Sequence, residues 1–289
     1  MDSGGRPLKN LYDEFEGTYA AVARDEVIHS MTVACKTGPH ITDFDALSKF
    51  ICNMLPQQQP PYNVTGILLI YPKFLIMILE APIQSLLHVL QSLATSEKLL
   101  KEALAAYSSV NLISSSDDNG GDERPTDAEV IRFMVKDPDL APIIQSRILC
   151  ILHNVPARMF RAFETKSFNV EVNSIHPQVY PEDDEKRLIE LLQQMTKLSS
   201  YLVCSAMKDQ EEYVPEIYKM RMASLLDDLR EEHPELVPQL SDIWYFTETS
   251  ELEGLLSVVE YLDRNDKPDT LFNKAEQTWP IPTRNFFYE

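Results

Sequence analysis

The chain has 289 residues, of which 44% are hydrophobic, and it carries a formal net charge of -19. This apolar content is enough for a packed core and excludes global disorder, and the length suits one large domain or two smaller ones. The acidic balance argues against direct binding of nucleic acid or of an anionic membrane, because a strongly negative surface is repelled by both.

The four cysteines predict neither a disulfide framework nor a zinc site. They are far apart, form no C-x-x-C pair and lie in apolar runs, where a free thiol behaves as a small hydrophobe: Cys35, Cys52, Cys150 and Cys204. The first residues contain no apolar segment typical of a signal peptide, and no apolar run approaches the ~20 residues of a bilayer span. We therefore expect a protein of the cytoplasm or cytoskeleton.

The first half of the chain begins with a polar arm, residues 1–25, which includes a predicted short helix around 11–22. Val27 to Cys35 (VIHSMTVAC) is typical of a strand. Asp43 then opens a helix whose apolar residues recur at helical spacing: Phe44, Leu47, Phe50, Ile51 and Met54. The glutamines and prolines of 57–61 end this helix, because proline blocks its continuation.

Two apolar runs of strand length follow and meet at a tight turn. Val64 to Tyr71 (VTGILLIY) is separated by Pro72-Lys73 from Phe74 to Pro82 (FLIMILEAP). Neither run alternates with polar residues, so the pattern predicts a hairpin that is buried on both faces.

After the hairpin, the sequence predicts an amphipathic helix, a second helical piece at 97–105 and a strand at Tyr107–Ile113. Residues 114–126 are polar and acidic and predict a surface loop. A calcium loop is the sharper alternative, but Gly121 occupies a needed ligand position and the terminal glutamate spacing is absent. A short helix is predicted at 126–134.

Two further strands are predicted, at Arg147–His153 (RILCILH) and within 157–172. The order is then βαββα followed by two strands, which predicts an α+β sandwich of the ferredoxin-like class over residues 26–175. A helical extension is predicted for 176–265, with helices from Pro181, at about 215–231 and at about 250–261. Residues 266–289 form an extended aromatic tail.

The hairpin resembles the central hairpin of the blue-light-sensing flavin (BLUF) domain, whose pattern is T-G-L-L-L-Y, a turn, and F-x-Q-x-L-E-G. Arg158 to Phe163 (RMFRAF) resembles the R-x-F-x-x-W segment of that family. The resemblance covers about 26–172 and implies the framework of a flavin-binding sandwich.

The residues that contact the flavin in that family are replaced here. Met77 stands at the signal-carrying glutamine and cannot exchange the hydrogen bonds on which the photocycle depends. The other positions differ too, with Gln58 and Gln59 for the paired asparagines, Thr32 and Val33 in the region of the electron-donating tyrosine, and Phe163 and Thr165 for the tryptophan and methionine. We therefore expect no cofactor, and a degenerate flavin or nucleotide sensor is the alternative.

Several segments in order resemble the testis-expressed protein 47 family. The resemblance is taken to cover residues 27–284, and the segments that carry it are TGILLIYP from Thr65, ILE from Ile78, HNVPARMF from His153, KLSSYLVC from Lys197 and WPIPTR from Trp279. The acidic segment 114–125 has no clear counterpart and is interpreted as an insertion. The resemblance implies a male-germline protein of the sperm flagellum axoneme with no known catalytic activity.

Apart from these resemblances, the sequence contains few candidate catalytic or metal-binding residues. No G-x-S-x-G, H-E-x-x-H, P-loop or G-x-G-x-x-G motif is present, and the six histidines show no metal-ligand spacing, so we expect neither an enzyme nor a metal site. His153-Asn154 could be a base with a polar partner, but the end of a buried strand is the favoured interpretation. Glu80 and Arg158 are interpreted as a structural ion pair or cap.

The predicted function is that of a non-enzymatic adaptor of a motile flagellum or cilium, which joins other axonemal proteins. The radial-spoke and dynein-regulatory regions are the candidate positions, and contact with the acidic tubulin surface is expected to run through other proteins. The tail supplies the candidate partner-binding residues, because aromatic and arginine side chains anchor interfaces and prolines lower the entropy lost on docking: Trp279, Arg284, Phe286, Phe287 and Tyr288. The alternative is that the tail packs back across the protein's own sheet or helices.

Overall fold

The structure is a computed structural model that describes residues 27–38, 41–56, 63–114, 142–169, 184–208, 214–249 and 254–265. This part of the chain contains five strands and six α-helices. In chain order they are β1 (Ile28–Thr37), α1 (Phe44–Met54), β2 (Thr65–Tyr71), β3 (Phe74–Pro82), α2 (Ile83–Ser114), β4 (Ile143–Val155), β5 (Phe163–Ser167), α3 (Asp184–Ala206), α4 (Pro215–Glu232), α5 (Leu240–Glu248) and α6 (Val258–Asn265).

The five strands form one sheet in the order β4-β1-β3-β2-β5. Neighbouring strands are antiparallel except for β2 and β5, which are parallel. The first four strands and the two helices between them have the ferredoxin-like order, with β5 added at one edge. The predicted fold class, an α+β ferredoxin-like sandwich with helices after it, is confirmed.

The hairpin is confirmed and lies at the centre of the sheet. Every residue of β2 and β3 is buried. Tyr71 pairs with Phe74 across the turn, and Lys73 adopts a left-handed conformation, with φ 68°. Strands that are buried on both faces read as continuous apolar runs, which explains why the sequence shows no alternation here.

Helices cover both faces of the sheet. On the α1/α2 face, α1, α2 and part of α6 cover a cluster that includes Met31, Val33, Cys35, Leu68, Ile70, Leu75, Met77 and Leu79. On the α3–α5 face, the later helices cover Ala34, Ile67, Leu69, Tyr71, Phe74, Ile76, Ile78 and Leu149. The helices that follow residue 176 therefore bury one whole face of the central hairpin.

The strand predicted at Tyr107–Ile113 is wrong, because α2 continues as one helix from Ile83 to Ser114. No glycine or proline occurs between Ile83 and Gly120 to end the helix. The β-branched residues of this stretch are too few to overcome helix propagation.

The helix predicted at 250–261 is also placed wrongly. Helix α5 occupies Leu240–Glu248, where no helix was predicted, and α6 begins only at Val258. Ser257 caps α6 by accepting from the Glu260 backbone N–H at 3.2 Å, while the Glu260 carboxylate accepts from the Ser257 N–H at 2.9 Å. This reciprocal pair is a capping box, and its S-x-x-E signature fixes the start of the helix.

Several predictions lie outside the described residues. They are the arm 1–25, the acidic loop from residue 115 onward, the short helix at 126–134 and the tail 266–289. Within the part of the chain that the structure describes, no helix combines the length and apolar character needed to cross a bilayer.

Candidate functional site

Met77 lies in the middle of β3 with 0% of its surface exposed. It pairs with Val33 of β1 and Leu68 of β2, and it belongs to the buried cluster of the α1/α2 face. A thioether is at most a weak hydrogen-bond acceptor and fills irregular apolar space well. The side chain at this position therefore completes a hydrophobic core.

Most of the residues that the resemblance aligns with flavin-contacting positions of the BLUF domain lie on one face of the sheet. Val33 and Phe163 contribute to the same core as Met77, and the Thr165 hydroxyl accepts a hydrogen bond from Ser48 of α1 at 3.2 Å. Thr32 points to the opposite face, because side chains alternate along a strand. Gln58 and Gln59 lie outside the described residues.

A groove of about 790 Å³ runs along the outside of this core, between α1 and α2. Among the described residues, its walls come from the two helices and the N-cap of α1: Asp43, Ala46, Lys49, Phe50, Asn53, Met54, His88, Gln91, Ser92, Thr95, Ser96 and Leu99. Met77 is not among the described lining residues, whereas Met54 of the same core is.

Glu80, at the end of β3, is 3% exposed and is bound by the loop that follows β4. Its two carboxylate oxygens accept from the backbone N–H groups of Met159 and Phe160 at 3.1 and 2.9 Å. Arg158 donates to the Glu80 carbonyl at 2.7 Å and to the Thr65 hydroxyl at 3.0 Å. Burial raises the pKa of Glu80, and the two N–H groups and Arg158 oppose that rise. With both oxygens bonded, the carboxylate fixes the loop to the sheet, as predicted for a strand-end acid.

His153 is bound to another histidine rather than to the neighbouring Asn154. Its Nδ1 atom lies 2.9 Å from the Nδ1 atom of His29, and the two rings meet edge to face. Asn154 adopts a left-handed conformation, φ 57°, one residue before the end of β4. His153 and Asn154 are exposed, so the predicted end of a buried strand is wrong in its burial. Burial lowers the pKa of His29, and the adjacent His153 lowers it further. The arrangement joins β1 to β4.

A second buried carboxylate joins α2 to β4. Glu97 is 2% exposed, accepts from the backbone N–H and hydroxyl of Ser146 at 3.2 and 2.9 Å, and pairs with Lys101 at 2.6 Å. The sequence analysis missed this contact and the His29–His153 pair. Their partners are 49 and 124 residues apart, so no local pattern could have indicated them.

The cysteines form neither a disulfide nor a cluster in the described residues. All four are free, and only Cys204 is exposed. Burial raises the pKa of Cys35, and the negative charge of Glu97 adds to the rise, so the thiol stays protonated. In the part of the chain that the structure describes, no three His, Cys, Asp or Glu side chains are grouped as a metal site would require.

The candidate partner-binding residues of the tail lie outside the described residues: Trp279, Arg284, Phe286, Phe287 and Tyr288. The described structure ends at Asn265, the last residue of α6. Their proposed role therefore stays a prediction.

The fold and this core define an α+β sandwich of ferredoxin-like topology in which an apolar side chain occupies the centre of the sheet. A family model described as testis-expressed protein 47 matches residues 27–117 and 130–267. The chain belongs to the testis-expressed protein 47 family. The match passes over residues 118–129, which overlap the segment interpreted as an insertion, and it stops before the WPIPTR segment.

Proposed function

We propose that this protein is a non-enzymatic structural adaptor of the sperm flagellum or motile-cilium axoneme that joins larger protein complexes. The radial-spoke and dynein-regulatory regions are its candidate positions. Membership of a testis-expressed family supports the male-germline setting. The observation that carries the adaptor role is the burial of Met77, with 0% exposure, in a core where a flavin sensor needs a hydrogen-bonding side chain.

Several buried charged groups have hydrogen-bond partners inside the fold, which supports the same proposal, although the Arg147 Nε and one Glu164 carboxylate oxygen have none among the described residues. Glu80 binds two backbone N–H groups of the loop at 159–160, and Glu97 binds Ser146. Arg147 of β4 donates to the Thr249 carbonyl at 2.6 Å. Hydrogen-bonded buried groups of this kind hold elements together.

Other axonemal proteins are the proposed partners. The net charge of -19 favours basic protein surfaces and disfavours direct contact with nucleic acid, anionic membrane or the acidic tubulin surface. The aromatic and arginine residues of the tail named above are the proposed contacts.

Fractionation of sperm tests the adaptor role. Sperm carrying the tagged full-length protein are extracted with a nonionic detergent, and the axonemes are then washed with high salt. We expect the protein to stay with the axoneme through the detergent step and to be released by salt, because its proposed contacts are protein contacts with a charged component. A soluble cytoplasmic protein is the control, and release of both with detergent would contradict the proposal.

The alternative is a degenerate flavin or nucleotide sensor, in which the groove between α1 and α2 would have to bind the ligand. Its volume is within the range of ligand pockets. The purified protein is mixed with FAD, passed over a gel-filtration column and examined by visible absorbance. We expect no retained flavin. Stoichiometric flavin absorbance in the protein peak would favour the sensor over the adaptor.

A further inference from the structure

Helix α4 has one face that packs on the core and an opposite face that is open to solvent. The inner face consists of four buried residues that belong to the core on the α3–α5 face of the sheet: Tyr218, Met222, Leu226 and Leu229. The outer face consists of five exposed residues at intervals of three or four: Ile217, Met220, Ser224, Asp228 and Glu231. From first to last it is about 21 Å long, enough for a partner helix of roughly fourteen residues.

The first half of the outer face is apolar. Met220 has 67% of its surface exposed, the largest fraction among the exposed large apolar residues of the described ranges. Ile217, one turn earlier, and Val214, directly before the helix, are each 37% exposed. Single exposed apolar side chains are ordinary on a protein surface, whereas several within seven residues of one helix are typical of a binding surface.

The second half of α4 is acidic on its exposed side. Its last two turns contain four exposed acids: Asp227, Asp228, Glu231 and Glu232. Residues 227 and 231, like 228 and 232, are like charges at i,i+4, and all four lie toward the helix end where the dipole favours cations. Asp227 pairs with Lys166 at 2.6 Å. The other three form no ion pair with a residue that the structure describes, so their repulsion destabilises the free helix.

The basic residues of α4 are not part of the outer face. The guanidinium groups of Arg221 and Arg230 donate to the carbonyls of Lys208 and Asn169, so both are held against neighbouring loops. Lys219 lies on another side of the helix, near Glu164 of β5. Burial raises the pKa of Glu164, and the charge of Lys219 opposes that rise.

The apolar and acidic halves together indicate the kind of partner. Its complement is a helix with apolar side chains toward one end and Lys or Arg toward the other. A second copy of the chain fits poorly, because an antiparallel α4 pair would place acids on Ile217 and Met220, and a parallel pair would place acids against acids. Each copy also carries a net charge of -19, which opposes self-association and equally opposes nucleic acid or an anionic membrane.

We propose that the outer face of α4 is a docking surface for a basic amphipathic helix of another protein. The apolar side chains of the partner pack on Ile217 and Met220, and its Lys or Arg side chains pair with Asp228 and Glu231. The pairing relieves the repulsion among the acids of α4, so it is favoured over isolated surface ion pairs. This inference rests on the proposed adaptor function in requiring a protein partner, and it uses none of the tail residues.

Binding of a synthetic peptide to the purified full-length protein tests the proposal. The probe is a fluorescent helical peptide of roughly 18 residues, with leucines on one face of its first half and lysines on the same face of its second half. The control peptide has the same composition in an order that puts leucine and lysine on different faces. We expect fluorescence anisotropy to show that the probe binds at least about tenfold more tightly than the control, and less tightly as salt is raised.

Two pairs of variants assign the binding to the outer face. Met220→Ser should weaken probe binding at least about fivefold, because it removes apolar area that the partner buries. Its matched control is Ile189→Ser, on α3, where the side chain is 46% exposed; binding should stay within about twofold of the wild type. Asp228→Asn should weaken binding by about threefold, whereas Glu102→Gln, which removes an exposed acid of α2, should not. Far-UV circular dichroism verifies that the variants keep the fold.

The proposal is overturned if the probe binds no more tightly than the control peptide, or if Ile189→Ser weakens binding as much as Met220→Ser does. A dimer in sedimentation that Met220→Ser dissociates would assign the face to a second copy and would also overturn it. The fractionation of sperm tests the adaptor role separately. Retention on the axoneme without peptide binding would remove this surface and leave the adaptor role, and peptide binding by a protein that detergent releases would do the reverse.

Discussion

At the scale of single residues, Gly66 is the position at which the central hairpin tolerates the least change. It adopts φ 148°, which L side chains rarely adopt, and a Cβ atom placed there would lie 1.9 Å from the backbone oxygen of Ile78. That oxygen belongs to the buried strand β3 and cannot move without breaking the sheet. We expect Gly66→Ala to lower the free energy of unfolding by at least about 3 kcal/mol, measured by denaturant titration.

Gly254 is the matched control for that prediction. It also has positive φ, 88°, but a Cβ there meets nothing within 4 Å. Gly254→Ala should therefore cost only the conformational term, about 1 kcal/mol. If the two variants lost equal stability, the steric contact with Ile78 would not be the reason that glycine is required at position 66.

The histidine pair is expected to make stability fall as pH falls below 6.5, the ordinary pKa of histidine. The folded state holds the pKa of His29 below its ordinary value of 6.5, through burial and then through His153. The unfolded chain therefore binds the proton more tightly, so the contribution is fully present above pH 6.5 and is lost as pH falls through the folded pKa. We expect the denaturant midpoint to be lower at pH 5.5 than at pH 7.5.

The pH effect is assigned by comparing two variants at both pH values. In His29→Gln the difference between the two midpoints should shrink, whatever the absolute stability of the variant. In Gln91→Ala, an exposed substitution on α2 that changes no titratable group, the difference should match the wild type. An unchanged difference in His29→Gln would mean that other groups carry the pH dependence.

At the scale of elements, the capping box of α6 is a contact whose energy can be measured separately. The Ser257 hydroxyl donates to the Glu260 carboxylate at 2.8 Å and accepts from the Glu260 N–H at 3.2 Å. We expect Ser257→Ala to cost about 1 kcal/mol of unfolding free energy in a denaturant titration. Ser224→Ala, on an exposed face of α4, should be neutral or slightly stabilising, since alanine has the higher helix propensity. A neutral Ser257→Ala would show that the capping hydroxyl does not stabilise α6, which is also joined to β4 by the backbone bond from Ile148 N–H to the Leu256 carbonyl.

Elements with a complete local signal could be predicted from the sequence, and elements that depend on distant partners could not. Helix α1 has both its apolar spacing and its N-cap, Asp43, which accepts from the N–H groups of Asp45 and Ala46. The hairpin is marked by two apolar runs and a turn. Helix α5 has no side-chain cap hydrogen bond, and its position depends on the sheet that it covers. No local sequence pattern therefore predicts this helix.

The candidate site divides in the same way. The apolar residue Met77 is visible in the sequence, at the position that the resemblance aligns with the signal-carrying glutamine of the flavin domain. The sequence also suggested that Glu80 and Arg158 pair, as a hypothesis. The groove is not visible, because it exists only where the faces of α1 and α2 meet. The Glu80 carboxylate is bound by the backbone N–H groups of Met159 and Phe160. Contacts made by backbone groups cannot be predicted from the pattern of side chains.

At the scale of the whole molecule, the helices after residue 176 complete the core of the sandwich. They cover buried sheet residues such as Ile67, Leu69 and Ile76. Polar contacts join them to the sheet as well, since the Tyr71 hydroxyl donates to the Pro238 carbonyl at 2.9 Å and Lys36 pairs with Glu248 at 2.5 Å. A ferredoxin-like sheet normally leaves one face to solvent or to a partner, and here the chain supplies that cover itself.

This arrangement predicts how two deletions will differ. Removal of residues 176–289 exposes the apolar α3–α5 face of the hairpin, and exposed patches of this kind drive association. We expect that fragment to aggregate or to bind the dye ANS strongly, as measured by gel filtration and fluorescence. Removal of residues 266–289 alone, which leaves every described helix in place, should preserve a sharp elution peak and low ANS binding. If the longer deletion gave a monomer with low ANS binding, the sheet would not need these helices for stability. Their role would then lie elsewhere, such as in presenting a surface to a partner.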